Sequence, residues 1–182
     1  YYLELQGECV DCPNMILALP NSEKRDEWLD EIAKCNMSRV KTIVYHCSQE
    51  LYRTKCLNLT GLFRISGSSD VIAQLKRDYR FCLSPDLGQE NFDPHLLTGL
   101  IKATLREMEE PLLSFDLYAD LVKIGATDSS SAEDFVEPLA PLVARLPTTN
   151  SQLLKYLCTL LSDVADYSEE NKMTAGNLAI VI

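Results

Sequence analysis

The sequence predicts a mainly all-α protein, and three observations carry that expectation. From Val40 onward apolar residues recur at three- and four-residue intervals; several of these runs open on a helix-start signal; and strand-like patterning is confined to two short segments before residue 20. With 182 residues and 46% hydrophobic content the chain can bury a core of its own, and its length fits one domain with a small appendage.

The appendage is residues 1–39. Tyr2-Leu3-Glu4-Leu5 and Met15-Ile16-Leu17-Ala18-Leu19 read as short strands, and Asn21-Ser22 caps a helix with Trp28, Leu29, Ile32 and Ala33 on one face. Residues 40–182 read as helical. Ser68 or Ser69 caps a helix carrying Val71, Ile72, Leu75 and Tyr79. Asp93-Pro94 sets a capping carboxylate ahead of proline at the first helical position. The helix that follows spreads Leu96, Leu97, Leu100, Ile101, Thr104, Leu105 and Met108 over a broad apolar arc. Asp116 to Ile124 forms a shorter helix, Thr127-Asp128-Ser129-Ser130-Ser131 a loop, and a further helical stretch ends near Pro147. Ser151 opens a helix whose apolar side is Leu153, Leu154, Leu157, Leu160, Leu161 and Val164. Thr174 to Ile182 is again apolar and periodic; it ends without a cap or polar tail, so the natural domain is expected to continue.

Composition narrows the function. A net charge of −10 without any cluster of Lys and Arg repels phosphate backbones, so nucleic acid is not an expected partner. The seven cysteines (Cys9, Cys12, Cys35, Cys47, Cys56, Cys82 and Cys158) form an odd set without the dense spacing of a secreted scaffold, which reads as reduced thiols in the cytoplasm. Cys9-Val10-Asp11-Cys12 with Cys35, His46 and Cys47 has the residue types of a zinc site, but a second close cysteine pair is missing, and ordinary packing with no metal is expected. No apolar run reaches membrane-spanning length. The two histidines have no convincing Cys, Ser or carboxylate companions at triad or metal spacing, and no Gly-rich phosphate loop ends in Lys-Ser or Lys-Thr, which argues against a hydrolase or nuclease.

Chemistry concentrates in three places. Gly61-Leu62-Phe63-Arg64-Ile65-Ser66-Gly67-Ser68 sets a permanent cation inside an apolar run, between two glycines and just ahead of a helix start. A buried, unpaired guanidinium is far costlier than any neutral polar group, so Arg64 either finds an acidic partner within the domain or points outward from a rigid apolar base. On the helix after Asp93, Lys102 and Arg106 stand one turn apart opposite the apolar arc, with His95 and Gly99 on the same outer face. Like charges at that spacing repel unless a carboxylate or anion answers them, so the pair is either a solvated face or a contact to an acidic partner. Asn177 puts an amide near the middle of an apolar helix, where it wants partners; an inter-helix hydrogen bond is one answer.

GLFRISGSSDVIAQLK, LIKATLREMEEPLL and NKMTAGNLAIVI, in that order and at those separations, resemble the three signature blocks of Rho-family GTPase-activating (RhoGAP) domains, over roughly Val40 to the C-terminus. The resemblance implies a helical bundle, incomplete because the Phe-Gly-Pro-Asn run that follows the third block in the family is absent. It implies that Arg64 is a finger inserted in trans into a GTPase, that Arg106 holds the finger loop through hydrogen bonds, and that Lys102 and Asn177 face the switch region. The partner would be a GTP-bound small GTPase of the Rho, Rac or Cdc42 type. That partner carries GTP and Mg²⁺, so no cofactor and no active site of the domain's own are expected. The chemistry fits: phosphoryl transfer spreads negative charge over the γ-phosphate and leaving oxygens, and a planar guanidinium with five donors contacts both. The sequence departs from the family at Met108-Glu109-Glu110-Pro111, where Leu-Pro-x-Pro is usual, and at Thr60, where an acidic residue often precedes Gly61. A catalytically silent GTPase-binding adaptor of the same fold and a purely structural helical domain are the alternatives; a silent copy has no need of Arg64. Residues 1–39, with Trp28 midway along ILALPNSEKRDEWLDEIAKC, resemble the C-terminal end of a pleckstrin homology domain. The strands that carry the family's phosphoinositide site are absent, so peripheral membrane contact is expected only through a complete upstream domain.

Overall fold

The computed structural model describes residues 2–5, 15–18, 22–80, 87, 92–126 and 133–182. The chain divides into two compact units, Tyr1–Arg39 and Val40–Ile182. In the first, strands β1 (Tyr2–Leu5) and β2 (Met15–Ala18) pair antiparallel, with Leu3 opposite Leu17 and Glu4 opposite Ile16. The side chains of Trp28, Leu29, Ile32 and Ala33, the Cys9/Cys12 motif, Cys82 and the loop read at 127–131 lie outside the described residues.

Every other described element is an α-helix. No glycine or proline falls between residues 22 and 53, and α1 (Ser22–Arg53) accordingly runs unbroken past residue 40, where the sequence reading changed domain. In the second unit α1 buries Val40, Ile43, Val44, Cys47 and Leu51, a stripe at three- and four-residue steps. Helix α2 (Ser69–Arg80) packs on α3 (Pro94–Arg106), burying Leu75 and Tyr79 but leaving Val71 exposed, so the expected apolar face is narrower than it looked. Asp93 caps α3, its carboxylate accepting the His95 N–H at 3.0 Å, with Pro94 leading the helix.

Helix α4 (Phe115–Gly125), capped by Ser114, packs on α5 (Glu133–Ala144). Leu117, Leu142 and Leu146 make a small apolar cluster there, edged by Leu121, Ile124 and Leu154. Helix α6 (Thr148–Ala165) starts three residues before the expected Ser151. Its first turn is docked: buried Asn150 donates its amide to the Leu112 carbonyl at 3.0 Å. Tyr52 and Lys41 of α1 reach Asp163 (2.6 Å) and Gln152 (3.0 Å) of α6, tying those two helices side by side. A single turn, α7 (Ser168–Asn171), precedes α8 (Ala175–Val181), and both pack on α6.

Candidate functional site

Between α1 and α2 the chain makes a tight loop with Arg64 at its outer edge. Its geometry starts at Gly61, which sits at φ 74°, a region L side chains avoid. The Gly61 carbonyl accepts the N–H groups of Arg64 (2.8 Å) and Ile65 (2.9 Å), which folds residues 61–65 into a compact turn. Leu62 and Phe63 are completely buried. Phe63 also has a positive φ, 69°, a conformation that costs a bulky residue about 1–3 kcal/mol and persists only where the surroundings over-determine it. Two such constraints are present: the buried ring, and a hydrogen bond to its carbonyl from the Lys102 ammonium on α3.

With its two predecessors anchored inward, Arg64 is exposed. Its guanidinium makes no ion pair or hydrogen bond among the described residues, which removes the acidic partner from among them. The loop then runs against α3. A Cβ at Gly67 would meet the Leu96 Cα at 2.6 Å and its nitrogen at 2.9 Å, both backbone atoms, so only glycine permits this approach.

That approach changes the reading of the outer face of α3. Gly99 is buried, with the Ile72 side chain of α2 and the Gly67 amide as its nearest neighbours, and Thr98 is buried beside it. Lys102 is half-buried, and its pKa is lowered first by burial and second by the Arg106 cation. The solvated-face alternative therefore fails for Lys102. Arg106, one turn on at the end of α3, is exposed and makes no hydrogen bond to the loop among the described residues. The bond expected of Arg106 comes instead from Lys102, whose position on the helix brings it under the Phe63 carbonyl.

Asn177 lies in the first turn of α8, exposed. Its backbone N–H reaches the capping Thr174 hydroxyl at 3.3 Å, and its side-chain amide donates to the Lys172 carbonyl at 3.0 Å. The inter-helix bond suggested by its apolar setting is not what it makes; the bond is local and keeps the amide at the surface.

Sequence reasoning passed over Asn171. This residue is completely buried; its amide donates to the carbonyls of Leu57 (2.8 Å) and Val164 (2.7 Å), and its oxygen accepts the Met173 N–H (2.7 Å). Its main-chain carbonyl accepts the Gly61 N–H at 2.7 Å. In a run of Ser-Glu-Glu-Asn-Lys it looks like a solvated turn, and the only sequence signal was its place at the head of the third block.

Among the described residues no group of His, Cys, Asp or Glu could hold a metal ion. Cys47, Cys56 and Cys158 are free thiols, and burial pushes Cys47 up to about 12. His46 pairs with the Tyr79 hydroxyl at 3.1 Å, a packing contact between α1 and α2.

Residues 42–182 match the RhoGAP domain family. This chain belongs to that family. The RhoGAP domain is 37% identical over 129 residues to Rho GTPase-activating protein gacN of Dictyostelium discoideum, covering 70% of this chain and 21% of that protein. It is 35% identical over 132 residues to human Rho GTPase-activating protein 24, covering 72% and 18%. The chain thus spans about a fifth of the length of these curated relatives. Among solved structures, the domain resembles the BH domain from Graf, the GTPase regulator associated with focal adhesion kinase, with TM-score 0.68 and 27% identity over 79% of this chain and 76% of that one. It resembles human Rho GTPase activating protein 15 with TM-score 0.70 and 25% identity, covering 76% and 65%. The helical architecture of the RhoGAP domain is common to both.

Proposed function

We propose that this RhoGAP domain accelerates GTP hydrolysis by a Rho-family small GTPase, presenting Arg64 in trans to the γ-phosphate. The observation that carries the reading is the loop itself. An exposed guanidinium, unpaired among the described residues, follows two fully buried side chains in a backbone fixed at φ 74° and 69°, so the cation is held out on a base that cannot easily yield. Preorganised charge of this kind acts where charge develops, in the transition state. The relatives' names give the partner class. GTP and Mg²⁺ belong to that partner, and the domain completes an active site without having one itself.

In this reading Lys102 sets the finger loop, while exposed Arg106 and Asn177 face the GTPase. Residues 1–39, a hairpin followed by a helix, are the tail of a pleckstrin homology domain, and any membrane contact would pass through the complete form of that domain in the cytoplasm. No described helix is long and apolar enough to cross a membrane.

Single-turnover GTP hydrolysis by a panel of Rho-, Rac- and Cdc42-type GTPases tests the proposal, with and without the domain. Acceleration of at least one of them, lost in Arg64→Ala while binding to the GTP form persists, is the expected result. Binding with no acceleration by the parent would favour the silent adaptor.

A further inference from the structure

We infer that Asn171 is a positioning residue for the finger, and that the turn it heads sets Arg64 and Asn177 in register with each other. The inference rests on the finger reading of Arg64 and extends it to a residue that touches neither nucleotide nor GTPase.

Three ties join the turn at 167–174 to the loop before Arg64. The Asn171 amide donates to the Leu57 carbonyl, the Gly61 N–H donates to the Asn171 carbonyl, and on the surface the Asn58 amide donates to the Glu170 carboxylate at 2.8 Å. The second amide hydrogen of Asn171 goes to Val164, one of the terminal carbonyls of α6 that the helix itself leaves unpaired or shared. Its oxygen closes the turn onto Met173, a side chain with no exposure. Both donors and the acceptor of one buried amide are therefore used, each on a main-chain group. No other side chain of this size supplies two donors and an acceptor in one plane.

Asn177 hangs from the same turn. Its amide donates to the carbonyl of Lys172, the residue after Asn171, held at φ 62°. A shift of residues 171–172 would move the base of Arg64 and the amide of Asn177 together. Loop position matters steeply in such a site, since a displacement of about 1 Å can cost on the order of 10²-fold in rate.

Asn171→Asp is the informative variant. It keeps the size and the acceptor facing Met173 but replaces both donations with carboxylate–carbonyl repulsion. Measured on the whole chain with a GTP-loaded Rho-family GTPase, and below the melting transition followed by circular dichroism, the maximal rate should fall about 10- to 10²-fold. Affinity for the GTP form should hold, whereas the added affinity for the GDP–fluoride mimic of the transferring phosphoryl group should be lost. In an Arg64→Ala background the same change should lower the residual rate no further, because both act through one group. A folded Asn171→Asp with the parental maximal rate, or a loss that multiplies with that of Arg64→Ala, overturns the inference and leaves the finger intact. A parental rate for Arg64→Ala alone overturns the finger reading and this inference with it. If Asn171→Asp does not fold, Asn58→Ala decides: this exposed change removes the surface tie and should lower the maximal rate about 2- to 3-fold at unchanged affinity, the scale of one solvent-exposed polar contact, and a parental rate overturns the inference.

Discussion

Around Arg64 the chain is fastened by directional bonds to main-chain groups far away in sequence: Lys102 to Phe63 across 39 positions, Asn171 to Leu57 across 114. The α4–α5 pair is built otherwise. Its two helices meet mainly through Leu117, Leu142 and Leu146 and their edge residues, with one exposed ion pair, Arg145 to Asp120, beside them, while Phe115, Tyr118, Val122 and Val136 stay exposed. Apolar contact is non-directional and tolerates small displacements; a hydrogen bond to a carbonyl does not. The difference places the directional bonds beside Arg64 and the non-directional packing in the α4–α5 pair.

The largest expected effect breaks the comparison on its catalytic side. Arg64→Ala should remove about 10³–10⁵-fold of stimulated hydrolysis, the value of an arginine finger, without moving the melting temperature, since the exposed side chain makes no bond among the described residues. A clear drop in melting temperature would show that Arg64 helps to hold its own loop.

Leu117→Ala tests the other side. Removing a nearly fully buried leucine from so small a cluster should cost about 2–5 kcal/mol, read as faster amide exchange confined to α4 and α5, with the maximal rate unchanged. A parallel fall in rate would show that the two regions are coupled.

Lys102→Ala and Arg106→Ala sharpen the contrast on a single helix. Loss of the Lys102 bond should lower the maximal rate at similar affinity, by about 1.5–3 kcal/mol at most for a charged donor. Arg106→Ala should raise the dissociation constant instead, and added salt should shrink the effect because an exposed cation is screened over about 10 Å. Kinetics at two ionic strengths separate them; the reverse assignment would return the loop-holding role to Arg106.

The smallest effect on hydrolysis, none at neutral pH, is that of a pH-dependent term in stability. The buried Cys47 thiol is raised from 9.0 to about 12, so the folded state keeps a proton that the unfolded state loses. Its contribution to stability is complete below pH 9.0 and declines as pH rises toward 12, by at most about 1.4 kcal/mol per pH unit. Tyr52 and Tyr79, also raised first by burial, add the same sign above their ordinary range. Lys102, lowered by burial and by Arg106, works oppositely, favouring the fold as pH approaches its unfolded value. Urea melts above pH 9.0 should show a flatter decline for Cys47→Ala than for the parent, with hydrolysis at neutral pH unchanged.

Sequence alone determined what nearest neighbours along the chain decide. Asp93-Pro94 starts α3, the spacing of Leu96, Leu97, Leu100 and Ile101 turns its apolar arc inward, and the two glycines flanking an apolar run mark Arg64 as a cation on a tight loop. Those signals act within a few residues, where capping, periodicity and φ preference operate. Tertiary structure alone decided which cation holds the loop. Lys102 and Arg106 are equivalent by charge and share one helix face; the loop runs against α3 at Gly67 and Leu96, and there the Phe63 carbonyl meets the first and, among the described residues, not the second. Asn171 was hidden for the same reason. Its neighbours in sequence are polar and exposed, whereas the carbonyls it satisfies belong to Leu57 and Val164, brought to it by the packing of α6 and α7; no local pattern records a partner 114 positions away.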